Sequence, residues 1–290
     1  MNTIEPVLLK ELKETDYESL ISYRIRKILM ICSNYDAFIL EEDGQIESQI
    51  FREYIDLNLS NPPKFIWVQT AAEARELLNT VVGIDMVMCM YNVTDKEVFS
   101  FAAEIKNDRP YLPFVLLTHF SKEVYRRLAL QDTSAIDYMF SWHGNADLIV
   151  AIVKLFEDLK NAEHDILGVG VQAILLVEDS VRYYSTYLPE LYRLVLMQTN
   201  EFLTETINQQ QRNIRKRSRP KILLATNYDD ALNMYEKYKN NLLGVISDVG
   251  FTQHKDEGPD KEILDAGVSL VRHIKEDDPM MPVLLQSSQA

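Results

Sequence analysis

Short apolar runs recur along the chain, separated by stretches of helical period. KILMI (27–31), FIWV (65–68), IDMVMCM (84–90) and PFVLLTH (113–119) form one series. AILLV (173–177), KILLA (221–225), LGVISD (243–248) and PVLLQSS (282–288) form a second. Runs that stay apolar, instead of alternating with polar residues, are those of strands covered on both faces, as in a parallel sheet. After the second strand of each series comes an amphipathic stretch, TAAEARELL in the first and NYDDALNMY in the second. Thr70 with Glu73 predicts a capping box, and Asn227 predicts an N-cap at the equivalent place. Ala74 and Ala231 then coincide, each on the helix face that meets the sheet. Strands alternating with helices predict βαβ units and a doubly wound α/β fold. One plan is used twice.

The first copy continues to a fifth strand near AIDYMF (135–140) and a last helix, DLIVAIVKLFEDL (147–159). The divisions expected are a helical lead-in at 1–23, a first domain at 24–160, a linker at 161–172 and a second domain at 173–290. In the lead-in, Leu8, Leu9, Leu12, Leu20 and Ile21 are expected to pack on the first domain. The second copy reaches Ala290 just past its fourth strand and reads as incomplete at its C-terminus. Its first helix is long, from Tyr184 to Arg212, and apolar at Leu188, Leu191, Leu194, Val195, Phe202 and Ile207. Such a helix outreaches a strand of five or six residues, so its overhang is expected to touch the first module or a second chain.

Charge narrows the range of functions. A formal net charge of −14 argues against a general nucleic-acid or anionic-membrane binder. Two cysteines, Cys32 and Cys89, make a disulfide framework implausible and suit a reducing cytoplasm. No apolar run approaches the ~18 residues of a membrane span, and the acidic N-terminus has no secretory core. The expectation is a cytoplasmic protein.

The two copies differ at the tips of their first strands. AILLVEDS ends on Glu178 and Asp179, whereas RKILMICSN ends on Cys32 and Ser33. In an open parallel sheet, ligands gather at the carboxyl ends of strands where the strand order reverses. That rule sets Glu178 and Asp179 beside Asp248, at the end of the third strand. Three such carboxylates repel one another and stay ionised only with a cation among them. Ligation by carboxylate oxygens and water suits Mg2+, which also holds a phosphoryl group in line with one carboxylate.

With these residues the chain resembles the receiver domain of two-component response regulators, twice in tandem, over nearly all of residues 24 to 290. The resemblance implies two flavodoxin-like modules of strand order 2-1-3-4-5. It implies that Asp248 is a phosphoacceptor, that Glu178, Asp179, Asp248 and the backbone carbonyl of Gly250 hold Mg2+, and that Ser287 contacts the phosphoryl group. Gly267 falls at the family's usual glycine in DAGVSLVRHIKEDDPMMPV (265–283). Glu178 replaces the usual first aspartate. The loop GFTQHKDEGPDKEILD after Asp248 is longer than usual and lacks Met-Pro, and the family's strand-five lysine falls beyond Ala290.

In the first copy, Cys32 and Ser33 replace the acids, Met90 the phosphoacceptor and Ser141 the lysine, and only Thr118 keeps its family type. It resembles a pseudo-receiver, a docking or dimerisation surface. The function implied is phosphorelay signal transduction, with a histidine kinase or phosphotransfer protein as partner, a homodimer through the first module, and neither nucleic acid nor membrane. The chemistry is at most self-phosphorylation and dephosphorylation of the receiver aspartate. The alternatives are an unphosphorylated interaction scaffold, or the regulatory front end of a longer pyruvate/phosphoenolpyruvate phosphotransferase-like chain.

Several features read as structural. Cys32 and Cys89 lie at tips of neighbouring strands, and buried free thiols are expected. His119 and His143, at strand tips of the first copy, read as structural and not as ligands. The basic run RNIRKRSRPK (212–221) reads as a cationic helix C-terminus complementing the helix dipole. The glycines of LGVGV (167–171) precede a strand, whereas a dinucleotide fingerprint follows one.

Overall fold

Each apolar run becomes a strand. The computed structural model describes residues 20–33, 46–57, 59, 61–92, 95–119, 131–203, 218–254 and 261–287. The first module comprises β1 (Lys27–Ile31), α1 (Ile46–Asp56), β2 (Lys64–Val68), α2 (Ala71–Thr80), β3 (Met86–Met90), α3 (Val98–Asp108), β4 (Phe114–Thr118), β5 (Tyr138–Ser141) and α4 (Ala146–Ala162). The second comprises β6 (Ala173–Val177), α5 (Val181–Leu203), β7 (Lys221–Ala225), α6 (Tyr228–Tyr238), β8 (Leu242–Asp248), α7 (Ala266–Asp277) and β9 (Val283–Gln286). Both sheets are parallel, ordered β2-β1-β3-β4-β5 and β7-β6-β8-β9.

The registers make the repeat literal. Ile31 pairs with Cys89 as Val177 pairs with Ser247, and Met90 pairs with Leu117 as Asp248 pairs with Gln286. The position after β1, Cys32, therefore answers to Glu178, Ser33 to Asp179, Met90 to Asp248 and Thr118 to Ser287. Local capping agrees. Glu73 N–H donates to Thr70 Oγ1 at 3.1 Å, the Glu73 carboxylate accepts from Gln69 N–H at 2.9 Å, and Asp230 N–H donates to Asn227 Oδ1 at 2.9 Å. Ala74 and Ala231 are both fully buried against their sheets, because a larger side chain would hold helix and sheet apart.

Helices α2 and α3 cover one face of the first sheet, and α6 and α7 the outer face of the second. Between the sheets lies a shared layer. Residues of α1, α4 and α5 form one apolar cluster with Met30, Met88 and Val115 of the first sheet and Leu176, Ile222 and Leu224 of the second. Helix α4 is buried almost all round, its polar residues Lys154, Glu157, Asp158 and Asn161 included. It then runs on through a π-helical turn, Glu163–Gly168, so the stretch read as a linker is helical as far as Gly168.

Helix α5 begins at Val181, three residues before the expected Tyr184. It meets the first module along its early turns. Tyr184 packs edge-on against Phe140 at 5.4 Å between ring centres, its hydroxyl donates to the Met139 carbonyl, and Ser141 N–H donates to Ser185 Oγ at 2.9 Å. Leu188 and Val195 are buried, whereas Leu194 is exposed. The Phe202 side chain and Ile207 lie outside the described residues. Residues 20–23 form a turn and not a helix, with Leu20 buried and Ile21 at φ 53°; Leu8, Leu9 and Leu12 lie outside the described residues.

The basic run is corrected more sharply. Arg219 and Lys221 are fully buried, at the start of β7, and make ion pairs with Asp158 and Asp165. They close the seam between the modules instead of facing solvent at a helix end. Residues 212–217 of that run lie outside the described residues.

Candidate functional site

The chain steps from β6 outward to β7 and then back across β6 to β8, so the order reverses between β6 and β8. The crevice at the carboxyl ends of those two strands is the switch point where such folds hold ligands. Glu178 and Asp179 follow the last residue of β6, and Asp248 is the last residue of β8. The three each bring a carboxylate oxygen within 4.8 Å of the others. Glu178 is 1% exposed, Asp248 is buried and Asp179 is half-buried.

Backbone amides hold the trio. Ser180 N–H donates to Glu178 Oε1 at 3.1 Å, Thr252 N–H to Asp179 Oδ2 at 3.3 Å and Val249 N–H to Asp248 Oδ1 at 2.7 Å. Among the described residues, no lysine or arginine pairs with any of the three. Proton affinity rises accordingly. Burial, and then the charge of Asp248, pushes the Glu178 carboxyl up to about 8. Burial, and then Glu262, pushes Asp179 up to about 6, and burial raises Asp248. Two buried acids and a half-buried one, with no cationic partner among the described residues, suit a hard divalent cation, and the donors are all oxygen, without histidine or cysteine.

Two further side chains reach the site that the sequence reading omitted. Gln286, the register partner of Asp248, donates from Nε2 to Glu178 Oε2 at 3.3 Å. Its signal was a polar residue inside the apolar run PVLLQSS. Glu262 comes from the long loop after Asp248. A Cβ built on Gly250 would fall 2.3 Å from Glu262 Oε1, so this carboxylate occupies the space that glycine leaves open. No local pattern marks Glu262 among the loop's other acids. Ser287 sits one residue beyond β9 and is exposed. At Gly267, a Cβ would fall 2.0 Å from the Asp248 carbonyl oxygen, and Gly267 N–H donates to Val249 O at 2.8 Å. Glycine there lets the first turn of α7 close on the backbone of the acid trio.

The equivalent crevice of the first module has other chemistry. Cys32 and Met90 are buried in the shared apolar layer. Both cysteines are buried thiols outside any disulfide, and burial pushes Cys89 far above the usual thiol range. Neither sulfur position offers a carboxylate to a hard cation.

No family model and no curated protein matches the chain. Among solved structures it is similar to the signal receiver domain of an HD domain-containing protein from Pseudomonas fluorescens Pf-5, at 19% identity over 49% of this chain and 94% of that one, with a TM-score of 0.36. It is also similar to a two-component system response regulator/GGDEF domain protein, at 15% identity over 91% of this chain and 84% of that one, with a TM-score of 0.34. A LacI family transcriptional regulator from Enterococcus faecium with bound ribose follows, at 12% identity over 90% and 95%, with a TM-score of 0.22. Strand order and register carry the assignment: the first sheet has the whole 2-1-3-4-5 order and the second its first four strands. The chain is a tandem of flavodoxin-like α/β modules, and among the described residues the acid trio stands in the second alone.

Proposed function

We propose that the second module accepts a phosphoryl group on Asp248 with Mg2+ bound, and so acts in phosphorelay signalling. The observation that carries this reading is the carboxylate trio Glu178, Asp179 and Asp248 at the switch point, in register with Cys32, Ser33 and Met90 of the first module. Mg2+ would be held by these carboxylates, the Gly250 carbonyl and water, and would supply positive charge beside the transferring phosphoryl oxygens.

The chain's own residues do the rest. An Asp248 carboxylate oxygen attacks phosphorus, and the phosphorus–nitrogen bond of a phosphohistidine donor, or the phosphorus–oxygen bond of a small acyl phosphate, breaks. The leaving group keeps the bonding pair and a histidine nitrogen takes up a proton, leaving an aspartyl phosphate. Val249 N–H, donating to Asp248 Oδ1 at 2.7 Å, fixes that oxygen so that the other one faces the donor. Gln286 and Ser180 N–H orient Glu178. Ser287 would contact the transferred group. The partners on this reading are a histidine kinase or phosphotransfer protein in the cytoplasm. No helix among the described residues is long and apolar enough to cross a membrane. The first module acts as a scaffold, since its helices α1 and α4 share the core that backs the second sheet.

Acetyl phosphate with Mg2+, followed by intact-mass and peptide mapping, tests the proposal. One hydroxylamine-labile phosphoryl group at Asp248 is expected, absent with chelator and in Asp248→Asn. Modification that persists in Asp248→Asn, or that ignores chelation, would overturn it.

A further inference from the structure

The carboxyl edge of the first module carries a second group of side chains that phosphorelay chemistry does not use. Parallel pairing of β4 with β5 sets Thr118 opposite Ser141. His119 is the next residue on one strand, and His143 lies two beyond the other. Their rings come together at 5.7 Å between centres, inclined by 38°, and both residues are exposed. Ser141 Oγ lies 3.4 Å from His143 Nε2.

That spacing has a meaning in coordination chemistry. Metal–imidazole bonds of about 2.0–2.1 Å from two rings to one cation put the ring centres roughly 5–6 Å apart. The Ser141 contact at Nε2 leaves His143 Nδ1 for a cation, the arrangement in which an outer partner sets the tautomer of a ligating histidine. The donor types have changed in concert. Where the second module carries the carboxylates Glu178 and Asp248, the first carries Cys32 and Met90 at the tips of β1 and β3, and imidazoles just past the tips of β4 and β5. Oxygen donors select Mg2+, whereas nitrogen donors select zinc, nickel or copper.

We propose that His119 and His143 form a chelating pair for a borderline divalent transition cation at the carboxyl edge of the first module, with water completing the coordination. The pseudo-receiver would then have exchanged a hard-cation site for a softer one, at the same end of the same fold.

The test is titration of the full chain with Zn2+ and Cu2+, in an Asp179→Asn/Asp248→Asn background that disables the acid trio. One site per chain is expected. His119→Ala and His143→Ala should each weaken it by more than about ten-fold, the least that changes around a ligating histidine cost. Cu2+ spin resonance should show two imidazole nitrogens, a signature that loss of stability would not imitate. Both histidines are exposed, so each variant should fold, and a thermal melt checks this. Full binding by either histidine variant, fewer than two nitrogens, or no binding by the parent background would overturn the proposal.

Discussion

Asp158 on α4 and Arg219 before β7 form a buried two-pronged ion pair, Oδ1 to Nη2 at 2.8 Å and Oδ2 to Nη1 at 2.9 Å. Tyr192 of α5 donates its hydroxyl to the same carboxylate at 2.9 Å, and so does Ile222 N–H at 3.0 Å. Lys221 reaches Asp165 at 2.7 Å, so two acids face two cations across the seam between the modules. Because four donors converge on Asp158, the pair has the hydrogen bonds a buried charge requires.

Removing one partner should therefore be costly. Asp158→Ala leaves the Arg219 guanidinium buried without its counter-charge, for an expected loss of about 3–5 kcal/mol. Urea unfolding of the whole chain measures it, and the shared apolar layer predicts one transition and not two. A loss below ~1 kcal/mol would mean that water reaches the pair.

Mg2+ should bind the full chain at one site and lose it in Asp248→Ala, since that change removes a ligand from the trio. Calorimetric titration reads the stoichiometry. Unaltered binding in the variant would move the cation elsewhere. Glu178→Gln should weaken binding while keeping the hydrogen bond available from Gln286.

Metal-free protein should lose stability as pH rises. Glu178 in the folded state titrates at about 8, and Asp179 at about 6, both above their ordinary values of 4.5 and 3.8. Acids raised on folding contribute stability that is fully present below the unfolded pKa and is lost as pH climbs through the folded one. The loss should thus run from about pH 4 to 8, with a slope of about 1.4 kcal/mol per pH unit for each proton involved. Melting curves with chelator would show it, and saturating Mg2+ should flatten the upper part. A midpoint that rises from pH 6 to 8 without metal would contradict the burial of Glu178.

Gly267→Ala should damage the acid trio from behind. The new Cβ would meet the Asp248 carbonyl oxygen at 2.0 Å and the Val249 Cα at 3.0 Å, both backbone atoms that cannot swing aside. Overpacking of this kind costs about 1–3 kcal/mol, and the forced shift of Asp248 should weaken Mg2+ binding as well. A fully stable variant with native affinity would show that α7 can move away freely.

By itself the sequence determined the strands, their two-fold repetition, the caps at Thr70 and Asn227 and the acids at the switch point. These are short-range matters: an apolar run, a cap three residues from its amide, a strand tip. The pairing of Asp158 with Arg219 was not legible, because the two lie 61 residues apart and a basic run looks the same whether it is solvated or buried. Gln286 carried a faint signal as a polar residue in an apolar strand. Glu262 carried none, since only the pairing of Phe251 with Ile263, which sets Glu262 against Gly250, selects it from its acidic neighbours. The meeting of His119 with His143 depended on the parallel register of β4 and β5. The shared layer of α1, α4 and α5 was also a tertiary decision, because periodicity shows which face of a helix is apolar but not which sheet, or how many, will cover it.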